Sequence, residues 1–247
     1  MKLQRWQISL GIYLLIISFA LYVLHYIIFR DIHHILIYAL GDLAFLPIEV
    51  LLVTLIVHEM LRERERSAVL EKLNMVIGVF FSTLGTELLR YISSADRNLD
   101  EIDEMLHIDE SWDDLDFSRT LRRLKDYRGD VDIRRLNLRD LREFLSQKMD
   151  FLIRLLENPV LIEHESFTQM LQTIFHLAEE LNGRESFEDL PESDMEHLKT
   201  DTERAYNLLI IEWVEYMQHI QKNYPYLFSL AMRRNPFRED ASIIIRG

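Results

Sequence analysis

The fold follows from one apolar stretch near the N-terminus, ILIYALGDLAFLPIEVLLVTLIV, which occupies residues 35–57. At about 1.5 Å of rise per residue, a helix of this length crosses a hydrocarbon core of about 30 Å. Residues 6–29 form a second stretch of similar length, in which His25 is the only side chain that titrates near neutral pH. We therefore predict an all-α membrane protein in which residues 1–60 form a two-helix transmembrane hairpin, with spans at about 6–29 and 35–57.

The basic residues around these spans predict the orientation of the hairpin. Lys2 and Arg5 precede the first span and Arg62 and Arg64 follow the second, whereas the turn carries only Arg30. Because lysine and arginine accumulate on the cytoplasmic side of a membrane, we expect both termini in the cytoplasm. No small-residue cleavage site follows the first stretch, so we expect a retained anchor in a multi-pass protein of the inner or plasma membrane.

The composition predicts a helical protein and excludes several classes of function. The chain has 247 residues with seven Gly, five Pro and no Cys, so turn-forming residues are scarce. The glycines are too sparse for the nucleotide-binding motifs GxGxxG and GxxxxGK[ST] or the hydrolase motif GxSxG, and we predict neither an enzyme nor a cofactor. The formal net charge of −13, all of which lies in residues 67–247, argues against a nucleic-acid partner.

The helical pattern continues beyond the second span. Apolar residues recur at spacings of three and four, which predicts a long helix over residues 61–92 that extends into the cytosol. Gly78 and Gly85 lie near the apolar face and would let another helix approach closely. We interpret this face as an oligomer seam, with packing inside one chain as the alternative. The seam residues are Leu73, Ile77, Phe80, Leu84 and Leu88.

Residues 93–118 are strongly acidic, and we predict a solvated linker there. The stretch DESWDDLD within it invites a calcium interpretation, but it lacks the glycine of an EF-hand loop, and Thr120 stands where the last glutamate is needed. We expect a cytoplasmic helical bundle over residues 119–235 and a tail over residues 236–247.

Local signals place four helices within the C-terminal bundle. They are predicted to begin at Asn137, near Ser166, at a capping box formed by Ser193 and Glu196, and after Pro225. The phrase NYPYLFSLAMRRNPF in the last of them carries no chemistry that we recognise.

Two acidic residues within the second span carry the functional prediction. Asp42 and Glu49 lie seven residues apart, so they project from nearly the same helix face. A carboxylate at this depth is costly unless it pairs, is protonated or faces water, which makes an intramembrane acid a functional hypothesis. We expect the two acids to form rings that line a cation pathway, with Gly41 and Pro47 as pore or hinge positions. The alternatives are buried acids that set helix register and an Asp42 shallow enough to reach water.

The leading hypothesis is therefore a homo-oligomeric cation channel, whose partners are the lipid bilayer, further copies of the chain and cations. The architecture is similar to that of several small oligomeric cation channels, although no family motif is present. The alternative is a membrane-anchored scaffold or signalling adaptor whose helical bundle binds a protein partner. A weaker hypothesis is a proton or redox carrier that uses the same acids and the histidines near the spans.

One further histidine bears on metal binding. His176 is followed one helical turn later by Glu179 and Glu180, a spacing that can ligate a metal but is more typical of a solvated helix surface.

Overall fold

The computed structural model describes residues 5–161, 164–238 and 241–244, and every regular element in these ranges is helical, which confirms the predicted all-α class and the helical bundle. The elements in chain order are α1 (Arg5–Phe29), α2 (Ile32–Phe80), a π-helical segment (Phe81–Gly85), α3 (Thr86–Ser93), α4 (Leu99–Met105), α5 (Asp114–Asp126), α6 (Leu138–Leu156), α7 (Glu165–Asn182), α8 (Glu192–Asn223) and α9 (Pro225–Arg233).

The first of two compact units, Met1–Arg66, contains α1 and the N-terminal part of α2. Arg30 ends α1 in the left-handed conformation, with φ of 50°. The carboxylate of Asp31 then caps α2 by accepting the backbone N–H groups of His33 at 2.9 Å and His34 at 3.2 Å. A connection of two residues is therefore enough to end one helix and begin the next.

Both helices of the first unit are long and apolar enough to cross a membrane, and their most apolar windows contain no buried residue. Gly41 and Pro47 lie inside α2, which continues through both as one helix. Pro47 has no backbone N–H, so the helix lacks one hydrogen bond at that turn.

The second unit, Ser67–Gly247, is organised around α8. Helices α3, α5, α7 and α9 and the π segment all pack against α8, and α6 packs against α7. The reason is that α8 is apolar on several faces rather than along one stripe, which is typical of a central helix. Its buried apolar side chains are Leu198, Ala205, Tyr206, Leu209, Ile210, Trp213, Val214, Met217 and Ile220.

The five residues predicted to form an oligomer seam are buried inside one chain, so the structure corrects that prediction in favour of intrachain packing. Leu73, Ile77, Phe80, Leu84 and Leu88 are between 0% and 6% exposed and belong to the core of the second unit. The spacing correctly predicted a buried stripe. It carried no information about the partner, because an apolar helix face packs equally well against its own chain or another.

The predicted acidic linker is also corrected, because residues 93–118 are folded and the bundle begins before residue 119. The stretch contains α4 and the start of α5, and Ile102, Leu106 and Phe117 are completely buried. Its acids are used as helix caps: the Asp113 carboxylate accepts N–H groups at the start of α5, and the Asp116 carboxylate accepts the Asp113 N–H. Composition alone does not distinguish an acidic segment that caps helices and covers a core from an acidic linker.

The four predicted helices of the C-terminal bundle are present as α6 to α9. Asn137 caps α6 as predicted, and Pro225 is the first residue of α9. The capping box at Ser193 is wrong, because α8 begins at Glu192 and Pro191, two residues before Ser193, occupies the cap position. The tail begins inside the core, where Phe237 is 3% exposed and contacts Trp213 edge to face.

Candidate functional site

A concave pocket of about 460 Å³ lies in the second unit, between the C-terminal end of α2, the π segment, α8 and α9. Most of its wall is aromatic or aliphatic, with a few polar groups, which is the usual make-up of a small-molecule site. The lining residues are Asn74, Met75, Gly78, Val79, Phe81, Ser82, Thr86, Trp213, Tyr216, His219, Ile220, Tyr224, Tyr226, Leu227, Leu230, Ala231 and Arg234.

The π segment shapes one wall of this aromatic pocket. A π turn inserts an extra residue into a helix and rotates the side chains beyond it, and such turns often occur at functional sites. Phe81 stacks on Tyr216, with ring centroids 5.0 Å apart. A Cβ at Gly85 would lie only 2.6 Å from the Phe80 ring and 2.7 Å from the Phe81 ring. Glycine is therefore required at position 85 for the two phenylalanine rings to pack over the backbone.

The turn between α8 and α9 forms the opposite wall. Tyr224 leaves the helical conformation, with φ of −141°, and Pro225 starts α9. This turn directs Tyr224, Tyr226 and Leu227 towards the pocket. The phrase at residues 223–237, which carried no recognised chemistry in the sequence, thus supplies a wall of the pocket.

His219 provides a polar group without a protein partner. Its Nε2 atom is buried and makes no hydrogen bond among the described residues, while Nδ1 lies 3.2 Å from the Asn223 side-chain amide. Burial lowers the pKa of His219, so the neutral imidazole is favoured. A ligand can therefore gain a hydrogen bond at Nε2 that the protein leaves unused.

Arg234 provides a positive charge at the same pocket. Its backbone is held in place, because its carbonyl oxygen accepts a hydrogen bond from the Arg90 guanidinium at 3.1 Å and the next residue, Asn235, is buried and donates to the Leu106 carbonyl. In the part of the chain that the structure describes, the Arg234 guanidinium has no ion pair. The pocket therefore combines an apolar body with one uncompensated cation.

Burial also marks Glu212 on α8, away from the pocket lining. Glu212 is 3% exposed, and burial raises the pKa of its carboxyl to about 7. A hydrogen bond with Ser166 opposes that rise in pKa, and nearby Glu215 adds to it. His164, Glu212 and Glu215 each place a nitrogen or oxygen atom within 4.8 Å of the others. Glu212 therefore gains or loses its proton near neutral pH, well above the range of an exposed glutamate.

The residues predicted to line an ion pathway lie in the other unit. Asp42 and Glu49 are exposed on α2, and neither side chain makes a hydrogen bond or ion pair with any described residue. Gly41 has open space around it, and Pro47 lies between the two acids on the same helix. The structure of one chain brings none of these four residues to the aromatic pocket.

The sequence reasoning missed the pocket altogether. A usable signal was the density of aromatic residues between Trp213 and Tyr226, together with Gly78 on the facing helix. A Cβ at Gly78 would lie 3.7 Å from the Tyr216 ring, so this glycine leaves room at the wall of the pocket. The predicted role of Gly78 is the close approach of another helix, and the space that it leaves beside Tyr216 forms part of the pocket.

Comparison with known proteins divides the chain into the same two parts. Residues 2–61 match the family described as the N-terminal helical domain of MJ1433, and residues 69–233 match the C-terminal helical domain of the uncharacterized protein MJ1433. The chain is 46% identical over 242 residues to the uncharacterized protein MJ1433 of Methanocaldococcus jannaschii, and the similarity covers 98% of this chain and 97% of the relative. No solved structure matches the chain.

Proposed function

This chain belongs to the MJ1433 family, and we propose that it is a membrane-anchored receptor whose helical unit binds a small amphipathic molecule in the aromatic pocket. The single observation that carries the proposal is the pocket itself, an apolar cavity of about 460 Å³ whose lining includes Arg234, which has no ion pair among the described residues. The ligand class that fits is an aromatic or aliphatic body with one anionic head.

The anchor is supported by the exposure of the first unit. The apolar windows of α1 and α2 have none of their residues buried, and a structure in water would leave that surface uncovered. A lipid bilayer can cover the apolar windows of the two helices, because a helix pairs nearly all of its backbone groups within itself. We therefore place the two spans in the inner or plasma membrane. Retention of the chain in membranes during alkaline carbonate extraction is expected, and its release would contradict the anchor.

The ligand class follows from the lining. A pocket of this size excludes a protein helix but accommodates a molecule of a few rings or a short chain. The aromatic walls at Phe81, Trp213 and Tyr216 favour a flat or slender apolar body. An anionic head can pair with Arg234 and accept a hydrogen bond from Nε2 of His219. The protein-partner version of the adaptor hypothesis stays a prediction.

The binding test uses 2-naphthoate as the probe, with the full chain in lipid nanodiscs and calorimetry as the readout. We expect saturable binding, which Arg234→Ala weakens by about tenfold to a hundredfold, the usual loss for a hydrogen bond to a charged group. The matched control is Arg122→Ala, because Arg122 is an exposed arginine on α5 that does not line the pocket.

Two further measurements make the test specific. The neutral probe 2-naphthalenemethanol should bind wild type and Arg234→Ala equally, because it has no charge to pair. Gly78→Leu should abolish binding of both probes by filling the cavity beside Tyr216. Equal naphthoate affinity in wild type, Arg234→Ala and Gly78→Leu would contradict the proposal.

A second candidate function, the oligomeric cation channel, is supported by a different observation. Asp42 and Glu49 have no partner among the described residues of their own chain, so if α2 spans a bilayer they must be protonated or be satisfied by groups outside the chain. Several copies around a water-filled axis would do so. The oligomer cannot form through the five buried core residues described above and needs another surface.

Ion flux in liposomes tests this second candidate. Asp42→Asn and Glu49→Gln should each change cation flux, whereas Glu63→Gln, an exposed acid further along α2, should leave it unchanged. Wild-type flux in both span variants would exclude the pathway.

A further inference from the structure

Helices α7 and α8 each present a histidine and an acid one turn apart, and the two pairs face each other. His176 and Glu180 lie on α7, and His197 and Asp201 lie on α8. The sequence marked only the α7 pair, because the residues on α8 are distant in the chain. The packing of α7 against α8 brings all four together in one His/acid cluster.

The four side chains of this His/acid cluster alternate around a closed ring. Nε2 of His176 lies 3.4 Å from Oδ2 of Asp201 and 3.9 Å from Oε1 of Glu180. Nε2 of His197 lies 3.3 Å from the same Asp201 oxygen and 3.6 Å from Oε2 of Glu180. Ligand atoms about 2.0–2.1 Å from a tetrahedral ion are about 3.4 Å from one another. The two separations to the Asp201 oxygen are close to that value, whereas the two to Glu180, which involve both of its oxygens, are longer.

Asp201 supplies an independent observation that points to a ligand. Its side chain is only 4% exposed, and its Oδ2 atom is buried without a hydrogen-bond partner among the described residues. The other oxygen, Oδ1, accepts from the Arg204 guanidinium at 3.2 Å. A buried carboxylate oxygen that is left unsatisfied costs free energy unless something else binds it. Both histidine nitrogens lie beside this oxygen without donating a hydrogen bond to it.

The surrounding groups orient the second carboxylate. The Arg184 guanidinium donates to Glu180 at 2.9 Å and to Asp194 at 2.7 Å and 2.8 Å. Outer groups that fix ligand carboxylates in this way are typical of metal sites.

We propose that His176, Glu180, His197 and Asp201 bind one divalent transition-metal ion, for which two imidazoles and two carboxylates suit zinc. The ion would fasten α7 to α8 beside the loop that joins them. Asp201 precedes Trp213, the first α8 residue in the pocket lining, by twelve positions, or about 18 Å along the helix axis. The metal site is therefore independent of the aromatic pocket.

Ion pairs between protonated histidines and the two acids would also bring these side chains close, and a cobalt titration separates the two explanations. The full chain in detergent is stripped with EDTA and titrated with Co²⁺ at a pH above the usual pKa of histidine. We expect one equivalent per chain with the intense visible absorption of tetrahedral cobalt, displaced by Zn²⁺. Ion pairs alone would produce no such absorption, and its absence would overturn the proposal.

The variants are chosen so that the fold survives. Both histidine side chains are 49% exposed, so His176→Ala and His197→Ala leave the core intact. Each should weaken binding at least tenfold, and the double variant should lose the tetrahedral spectrum. The control His107→Ala removes an exposed histidine elsewhere in the second unit and should bind as wild type does.

A thermal measurement supplies a second readout. Zinc should raise the Tm of wild type and of His107→Ala, because a ligand that binds only the folded state stabilises it, and should leave the double variant unchanged. If the double variant binds cobalt tetrahedrally with wild-type affinity, or gains the same rise in Tm, the four residues are not the site.

Discussion

Glu212→Gln should change how the stability of the helical unit depends on pH. Glu212 belongs to α8 and is 3% exposed, and burial raises the pKa of its carboxyl to about 7 from the usual 4.5. The folded state therefore holds this proton more tightly than the unfolded state does. The stabilisation is fully present below the unfolded pKa and is lost as pH rises through the folded pKa, so stability should fall between about pH 4.5 and pH 7.

The size of the effect follows from the shift. A rise in pKa of about 2.5 at about 1.4 kcal/mol for each pH unit amounts to about 3.5 kcal/mol, which wild type loses across that window. Glutamine cannot ionise, so the variant lacks this loss, and it keeps a polar group that can bond to Ser166. For a unit of this size, 3.5 kcal/mol corresponds to a change in Tm of about 7–14 °C.

The assay is thermal unfolding of the full chain in detergent, followed by circular dichroism at pH 5 and pH 8 in the presence of EDTA. Wild type should lose more Tm between the two values than Glu212→Gln does, by most of the amount stated, because part of the loss has already occurred at pH 5. The control Glu143→Gln changes an exposed glutamate on α6 and should track wild type. The reasoning is refuted if Glu212→Gln and wild type show the same dependence on pH.

Three further substitutions test the packing of the second unit by the same unfolding measurement. Leu84→Ala should lower the free energy of unfolding by about 2–5 kcal/mol, because the side chain is completely buried. The control Leu70→Ala, at a residue that is 45% exposed, should lower it much less. Equal losses of stability would contradict the intrachain core. Gly85→Ala should lower the free energy of unfolding by about 1–3 kcal/mol, since its Cβ would lie 2.6 Å from an aromatic ring. The control Gly183→Ala, where the nearest atom is 3.4 Å away, should leave the free energy of unfolding nearly unchanged. If Gly85→Ala has no effect, the two rings move freely. Asp113→Ala should cost about 1 kcal/mol through loss of the cap of α5, and an unchanged Tm would show that the cap contributes nothing.

Helix positions were largely predictable because their signals are local. Asn137 caps α6 because its side chain reaches backbone N–H groups two and three residues later, and Pro225 begins α9 because its fixed φ suits the first helical position. The lengths of α1 and of the apolar part of α2 follow from uninterrupted apolar stretches in the same way. Ser193 was the exception, since the cap position of α8 is Pro191, two residues earlier.

The sequence by itself thus determined that the chain is helical, that it has two stretches able to span a membrane, and that the stripe at Leu73 and Leu84 is buried. Only the tertiary structure decided what that stripe packs against, that the acidic segment is folded, and that a pocket lies beside the π segment. Only the tertiary structure shows that His176 lies beside Asp201, because the two residues are 25 positions apart in the chain. The physical reason is that helix formation depends on neighbours within one or two turns, whereas a pocket or a ligand cluster depends on which helix faces meet.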